Sequence, residues 1–199
     1  MSIAFLNIDE LGKQIGQISV VISYKIIDRF SGHLYSSPSK AIEELVVNAY
    51  DAFATKCQVY IPLDLDEKNA SIVVYDDGDG MDETDLEELW LIADSRKRDN
   101  ERESSAKRRG RLPVGKFGIG KLASYVIGKR IIHITRKEGR YLAVTMDYRK
   151  IEDYFLGSGS DYENSRLSLP IINLEFSKIL DILKPVSYTH LTLPTTPYV

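Results

Sequence analysis

The chain has 199 residues, of which 43% are hydrophobic and 28% are charged, and its formal net charge is −3. This length suits one well-buried domain and excludes two large ones. The charge excludes a strongly basic protein, and no apolar stretch is long enough to cross a bilayer. The single cysteine, Cys57, excludes an internal disulfide. A reducing, cytoplasmic location without a membrane partner is therefore expected.

Hydrophobic spacing and turn residues predict a mixture of helices and strands. In the first half they predict helices over 9–30 and 38–54, strands over 58–63 and 71–75, and a short helix over 83–92 entered at Asp82. In the second half they predict a helix over 115–127 and strands over 130–136, 141–147 and 170–176. The first helix is predicted from isoleucines spaced near one turn, and the helical segment 1–35 is expected to pack on the core. The second is predicted from Ser37-Pro38, since serine can cap free amides and proline suits the first helical position.

Two segments are predicted to lie outside regular structure. Residues 94–112 are mostly charged and have no apolar period, which predicts a long mobile loop. The final stretch, VSYTHLTLPTTPYV, has no charged residue and is rich in Thr and Pro. It resembles a translated sequencing-adapter sequence, so residues 185–199 are predicted to be a non-native or disordered tail.

The predicted helix over 38–54 has a narrow polar face. At about 100° per residue, Glu44, Asn48 and Asp51 fall within roughly 60° of one another. The opposite side collects the apolar residues Ile42, Leu45, Val46, Ala49 and Phe53. An ordinary amphipathic surface helix has the same pattern, but asparagine is a poor helix former. Its amide oxygen suits Mg²⁺, and a carboxylate one turn away can deprotonate an attacking water, so Glu44 and Asn48 are candidates for these roles.

The acidic turn DDGDGM, residues 76–81, allows more than one interpretation. An EF-hand loop with Gly80 at its sixth position would have Tyr75 and Leu86 at its first and twelfth ligand positions, which disfavours calcium. A plain solvated turn is a second interpretation. A buried Asp at the end of a strand can instead accept a hydrogen bond from an exocyclic amine, while glycines let the backbone approach a flat ring. Asp76 is then the candidate for adenine recognition, framed by Gly78, Gly80 and Met81.

The glycine-rich segment GKFGIGK, residues 115–121, fits two known patterns poorly. It matches GxxxxGK of a P-loop, but Leu122 replaces the magnesium-binding Ser or Thr. It also matches the dinucleotide pattern GxGxxA, but no buried strand precedes it. Glycines that lead into a helix expose backbone amides to phosphate oxygens, and a turn that only starts a helix is the alternative. The candidate phosphate-binding residues are Gly115, Lys116, Phe117, Gly118, Ile119, Gly120 and Lys121.

Together, ExxxNAxDA, DxGxGM, a charged loop and GxxGxG resemble, in this order, the GHKL superfamily of ATPases. That group includes gyrase B, the ninety-kilodalton heat-shock chaperone, MutL, MORC proteins and sensor histidine kinases. The resemblance covers roughly residues 36–147 and is strongest to the chaperone, MutL and MORC branches. It implies the α/β Bergerat fold, a two-layer sandwich in which helices cover one face of a mixed, mostly antiparallel sheet. Residues 36–184 would form the ATP-binding domain, truncated at its C-terminus, with an ATP lid at about 94–114.

The resemblance also implies roles for individual residues. Glu44 would be the general base, Asn48 the Mg²⁺ ligand and Asp76 the adenine-recognising residue. Asp51 and Ala52, from the same motif as Asn48, are expected to contribute to nucleotide binding, and the glycines of 115–120 to supply phosphate-binding amides. The implied ligands are ATP and Mg²⁺. The implied partners are a protein client or downstream domain, and a second copy in an ATP-dependent homodimer of the full-length protein.

The leading functional prediction is an ATPase module that drives a conformational change in a larger protein. A non-hydrolysing ATP-sensing or interaction module is an alternative. A histidine-kinase-type domain is disfavoured because His33 lies in a predicted loop and His133 alternates within a predicted strand. Nucleic-acid binding through the basic residues 107–111 is a further hypothesis, although solvated lid charges account for the same residues.

Overall fold

The computed structural model contains helices and antiparallel strands, and it describes residues 7–22, 37–65, 70–89, 110–112, 114, 126–150 and 165–178. A turn of 3-10 helix (Ile8–Glu10) comes first. It is followed by β1 (Gly12–Ile22), α1 (Pro38–Asp51), β2 (Cys57–Tyr60), β3 (Val73–Asp76) and α2 (Glu83–Leu89). They are followed by β4 (Arg130–Lys137), β5 (Arg140–Asp147) and β6 (Ser165–Leu174). This combination of antiparallel strands and helices confirms the predicted α/β class.

Two antiparallel sheets organise these strands. One contains four strands in the order β1-β6-β5-β4, and the other pairs β2 with β3. The β4–β5 hairpin closes through Glu138-Gly139, and both turn residues have positive φ, which matches the twist of a tight hairpin. Because β6 lies between β1 and β5, the last described strand of the chain occupies the interior of the sheet.

The core lies on both faces of β5, because its side chains alternate. Leu142, Val144 and Met146 face a larger cluster, and Ala143 faces a smaller one. Leu86 of α2 has no exposed surface, so α2 covers the face with the larger cluster. The other buried members are Ile18, Tyr148, Leu169 and Ile171 in the larger cluster, and Ile8, Ile172 and Leu174 in the smaller one.

The helix predicted over 9–30 is wrong where the structure describes it. Gly12–Ile22 forms β1, which pairs with β6 so that Ile18 lies opposite Leu169. Ile18 is 1% exposed but Ile15 is 44% exposed, so the isoleucines do not form one helical face. The segment is rich in β-branched residues, and strand pairing outweighs the helical spacing. Within segment 1–35, this part is a strand of the sheet and not a helix packed on it.

The remaining predicted elements within the described ranges are present, with ends that shift by up to five residues, since β6 begins at Ser165 and not at 170. Helix α1 begins at Pro38 with Ser37 in the N-cap position, although the Ser37 hydroxyl bonds to Ser39 Oγ at 2.9 Å. Ala49 is buried as expected, whereas Val46 is 38% exposed. Asp82 caps α2, because its Oδ1 accepts the Asp85 N–H at 2.9 Å.

Several predictions lie wholly or largely outside the described residues. They concern the charged loop, the glycine-rich segment with most of its following helix, and the tail at 185–199. Among the helices that are described, none combines the length and apolar character needed to span a membrane.

Candidate functional site

The C-terminal end of α1 has an unusual geometry. Phe53 adopts a φ of 63°, and its N–H donates to Tyr50 O at 3.0 Å, while Ala54 N–H donates to Ala49 O at 3.0 Å. These two bonds form a Schellman motif, which usually has glycine at the left-handed position. The chain therefore turns sharply after the helix, and this end of α1 becomes accessible to other segments.

The candidate base Glu44 and the candidate metal ligand Asn48 lie on α1 at different distances from this end. Asn48 is exposed and its carbonyl accepts the Ala52 N–H at 2.9 Å, which fixes it one turn before the helix end. Glu44 is partly buried and lies a further turn back, about 6 Å along the axis. In the described ranges, no group of three or more His, Cys, Asp or Glu side chains is arranged to hold a metal ion. A Mg²⁺ site at Asn48 would use its amide oxygen together with water and phosphate oxygens, ligands that this ion accepts.

The acidic turn after β3 packs against the end of α1. Asp79 N–H donates to Ala52 O at 2.8 Å. Gly78 approaches so closely that an added Cβ would lie 2.7 Å from Ala52 O and 2.9 Å from Ala52 Cβ. Gly78 N–H also donates to Asp76 Oδ1 at 2.9 Å, which orients that carboxylate. Asp76 and Asn48 are thus brought to the same end of the helix.

The two neighbouring aspartates of this turn differ in their contacts. Asp76 is the last residue of β3 and is exposed, whereas the sequence predicted a buried carboxylate. Asp77 Oδ1 accepts the N–H groups of Thr55 and Lys56 at 2.7 and 2.8 Å, and its Oδ2 accepts the Thr55 hydroxyl at 2.6 Å. The Thr55 hydroxyl and the Lys56 amide hold the pKa of Asp77 below its usual value. Asp77 therefore fixes the turn, a role that sequence reasoning missed.

The far side of the acidic turn is attached to β4. Gly80 has a φ of 71°, and its backbone lies against the Arg136 carbonyl. Met81 N–H donates to Thr135 Oγ1 at 2.7 Å, and Thr135 is 7% exposed. The Met81 side chain packs against the larger core cluster. Thr135, also missed from the sequence, could have been noticed as the one hydroxyl-bearing residue of the predicted strand 130–136.

The residues just before the glycine-rich segment contact the same end of α1. Arg111 Nη1 donates to Ala54 O at 2.8 Å, and its guanidinium lies 5.1 Å from the centre of the Tyr50 ring. Val114 N–H donates to Asp51 Oδ1 at 2.8 Å. Asp51, predicted to contribute to nucleotide binding, thus holds the chain directly before Gly115. The predicted phosphate contacts of 115–121 lie outside the described residues and stay predictions.

The surroundings of His133 disfavour the histidine-kinase alternative. Its Nε2 is buried within the sheet, and desolvation lowers its pKa to about 4. A buried, neutral imidazole on a strand is a poor phosphoacceptor. The other candidate, His33, lies outside the described residues.

Comparison with known proteins identifies a family and relatives of this chain. A family described as "Histidine kinase-, DNA gyrase B-, and HSP90-like ATPase" matches residues 35–169. "Chaperone protein HtpG" of Rickettsia canadensis is 25% identical over 167 residues, which are 76% of this chain and 27% of that protein. The HtpG of Wolinella succinogenes is 30% identical over 131 residues, 58% of this chain and 21% of that protein. The chain thus spans about a quarter of the length of these curated relatives.

Proposed function

Because the chain belongs to the family of histidine kinase-, DNA gyrase B- and HSP90-like ATPases, we propose that it is the ATP-binding module of a larger chaperone-like protein. In this proposal, ATP hydrolysis with Mg²⁺ drives a conformational change in that protein. The observation that carries it is the hydrogen bond from Asp79 N–H to Ala52 O at 2.8 Å, by which the acidic turn meets α1. The module includes β1, since that strand pairs with β6.

The acidic turn is proposed to bind the adenine. Asp76 accepts a hydrogen bond from the exocyclic amine, with its carboxylate oriented by Gly78 N–H at 2.9 Å. Gly78, Gly80 and Met81 lie alongside the ring. This placement is supported by the two attachments of the turn, to Ala52 on one side and to β4 on the other. A turn held at both sides is preorganised, so little ordering entropy is lost when the base binds.

The polar face of α1 is proposed to act on the phosphates. Glu44 takes a proton from water as the water oxygen bonds to the γ-phosphorus and the bond to the β-phosphate oxygen breaks, which yields ADP and inorganic phosphate. Asn48 holds Mg²⁺, which supplies neutralisation of phosphate charge when bound. Amides of the segment 115–121 hold the phosphate oxygens. Positioning and charge neutralisation account for most of the catalysis in such reactions.

Replacement of Glu44 by Gln tests the base assignment. We expect phosphate release to fall by about 100-fold with ATP affinity unchanged, because a general base contributes about that much. Glu43→Gln is the matched control, since Glu43 is the adjacent residue on α1 and its exposed carboxylate pairs with Lys40. Steady-state phosphate release and calorimetry measure the two quantities. Wild-type turnover in Glu44→Gln would refute the assignment, and ATP binding without any phosphate release by the wild type would favour the sensing alternative.

Replacement of Asp76 by Asn tests adenine recognition. We expect the affinity for ATP to fall by about 10- to 100-fold, because a hydrogen bond to a charged group contributes about 1.5–3 kcal/mol. Asp9→Asn, an exposed position in the turn of 3-10 helix before β1, is the control and should bind ATP as the wild type does. If calorimetry gives the same affinity for Asp76→Asn and wild type, Asp76 does not recognise adenine.

A further inference from the structure

Helix α1 lacks a basic residue of its own in its last turn. The final carbonyls of a helix have no intrahelical donors and carry a partial negative charge, which cations stabilise. Here the cation comes from Arg111, 57 residues beyond Ala54, whose carbonyl accepts its Nη1 at 2.8 Å. The same nitrogen lies 3.5 Å from Tyr50 O. A distant segment therefore supplies the charge that this helix end lacks.

Polar contacts, and not apolar burial, hold Arg111 and Val114 against the end of α1. Leu112 and Val114 are 65% and 54% exposed, so their side chains contribute little packing. The contacts on α1 are the two that Arg111 makes with Ala54 O and the Tyr50 ring, and the hydrogen bond from Val114 N–H to Asp51 Oδ1 at 2.8 Å. Arg111 and Val114, three residues apart in the sequence, thus both bind at the C-terminal end of α1 and the turn that follows it.

We propose that Arg111 is a positioning residue that, together with Asp51, fixes the chain directly before Gly115 to the helix bearing Glu44 and Asn48. The inference rests on the proposed function of that helix and of the glycine-rich segment. Arg111 acts through the Ala54 carbonyl, just beyond the end of α1, and through the Tyr50 ring, and Asp51 acts through the Val114 amide. Val114, directly before the proposed phosphate-binding segment, then keeps one position relative to the proposed metal ligand and base. Loss of Arg111 should loosen that relation without removing any group that contacts nucleotide.

The guanidinium group is specifically suited to this position. It can donate a charge-assisted hydrogen bond in its plane while its face stacks on an aromatic ring. A lysine keeps the charge at the helix end but presents a compact ammonium without a planar face. Arg111→Lys should therefore retain part of the effect, whereas Arg111→Ala should lose all of it.

Hydrogen exchange at the Val114 amide, measured without nucleotide, tests the contact itself. We expect exchange about tenfold faster in Arg111→Ala, an intermediate rate in Arg111→Lys, and a wild-type rate in the control Arg149→Ala. Arg149 is an exposed arginine that pairs with Asp147 at 2.7 Å, at the end of β5. The midpoint of thermal unfolding should stay near the wild-type value in all three variants. An unchanged Val114 rate in Arg111→Ala would overturn the proposal.

Calorimetry and phosphate release with Mg-ATP test the consequence for the site. We expect Arg111→Ala to bind ATP about tenfold more weakly and to release phosphate more slowly, with partial rescue in Arg111→Lys. Faster exchange at Val114 combined with wild-type affinity and turnover would show that the contact does not position the site. If the wild type itself fails to bind ATP, the proposed function is wrong, and the exchange rates still report whether Arg111 holds the segment. Because Arg111→Lys keeps the charge, it provides the same comparison if Arg111→Ala does not fold.

Discussion

Gly80 combines a conformation and a location that no residue with a side chain can adopt. Its φ is 71°, and an added Cβ would lie 1.9 Å from Arg136 O. Gly139 has a similar φ of 77°, but a Cβ there would meet nothing within 4 Å. The two glycines therefore separate the cost of a left-handed backbone from the cost of a steric clash.

Gly80→Ala and Gly139→Ala are predicted to differ in stability. Gly139→Ala should lower the free energy of unfolding by about 1–2 kcal/mol, which is the cost of a left-handed L-residue. Gly80→Ala should lower it by more than about 3 kcal/mol, since the turn must also move away from β4. Urea unfolding of both variants measures the difference. Equal losses would mean that Gly80 does not depend on its contact with Arg136.

For single residues, the sequence predicts which residue type is needed better than it predicts which distant residues it contacts. The acidic turn is recognisable from its glycines, and Gly80 was expected there because it lets the backbone approach a ligand. Its contact with Arg136 joins distant parts of the chain, which no local pattern reports. Likewise, the sequence offers Asp76 and Asp77 side by side, and only the fold shows that Thr55 and Lys56 engage Asp77.

Helix α2 is attached to the β4–β5 hairpin by charged side chains around its N-terminus. Lys137 Nζ lies 2.8 Å from Asp82 Oδ2 and 2.5 Å from Asp85 Oδ2, and Arg140 binds Glu83 through two bonds of 2.6 and 3.0 Å. Acidic groups at this end also complement the helix dipole. The hydrogen bond from Lys137 lowers the pKa of Asp82 to about 2, and the two carboxylates raise the pKa of Lys137.

Lys137→Met is predicted to destabilise the protein by about 1 kcal/mol at pH 7, a modest value because these side chains are about one-third exposed. The folded pKa of Asp82 lies below its ordinary value of 3.8, so this stabilisation is present above pH 4 and is lost as the pH falls towards 2. Urea unfolding at pH 7 and pH 2 measures the change. Lys40→Met, which removes an ion pair that is 62% and 60% exposed, is the control and should have little effect. A loss in Lys137→Met that is the same at both pH values would contradict this account.

Local chemistry specifies most elements, and long-range pairing specifies β1. Ser37-Pro38, the cap at Asp82 and the Glu138-Gly139 turn each act over a few residues, so the elements beside them are predictable from sequence. Segment 9–30 has isoleucines at helical spacing, but hydrogen bonds to β6 determine the structure of its part Gly12–Ile22. Its β-branched residues and Gly16 were the available signal for a strand. In the candidate site, Arg111 was not predictable for a similar reason, since its partners lie far away in the chain.

The stability of the whole molecule is predicted to fall in mild acid because of His133. Burial lowers its folded pKa to about 4 from an ordinary value of 6.5, so the unfolded chain takes up a proton that the folded state does not. The stabilisation is therefore complete above pH 6.5 and is lost as the pH falls from 6.5 towards 4, reaching a loss of about 2 kcal/mol by pH 5. Urea unfolding between pH 7.5 and 5 should show this slope, and His133→Gln should reduce it. His190→Gln, which replaces another histidine by the same residue, is the control. The same pH slope in His133→Gln and wild type would exclude His133 as the source of the slope.

The strand order β1-β6-β5-β4 means that the sheet can be completed only late in translation. The Gln17 and Ser168 side chains, which are hydrogen-bonded at 3.0 Å across the β1–β6 pair, are 151 residues apart. At a translation rate of roughly 5–20 residues per second, β1 leaves the ribosome about 8–30 s before its partner. The β4–β5 hairpin can form early because its contacts are local, but the four-stranded sheet closes only when β6 inserts. Until then β1 lacks its partner strand β6, so the nascent chain is exposed to strand mispairing and aggregation.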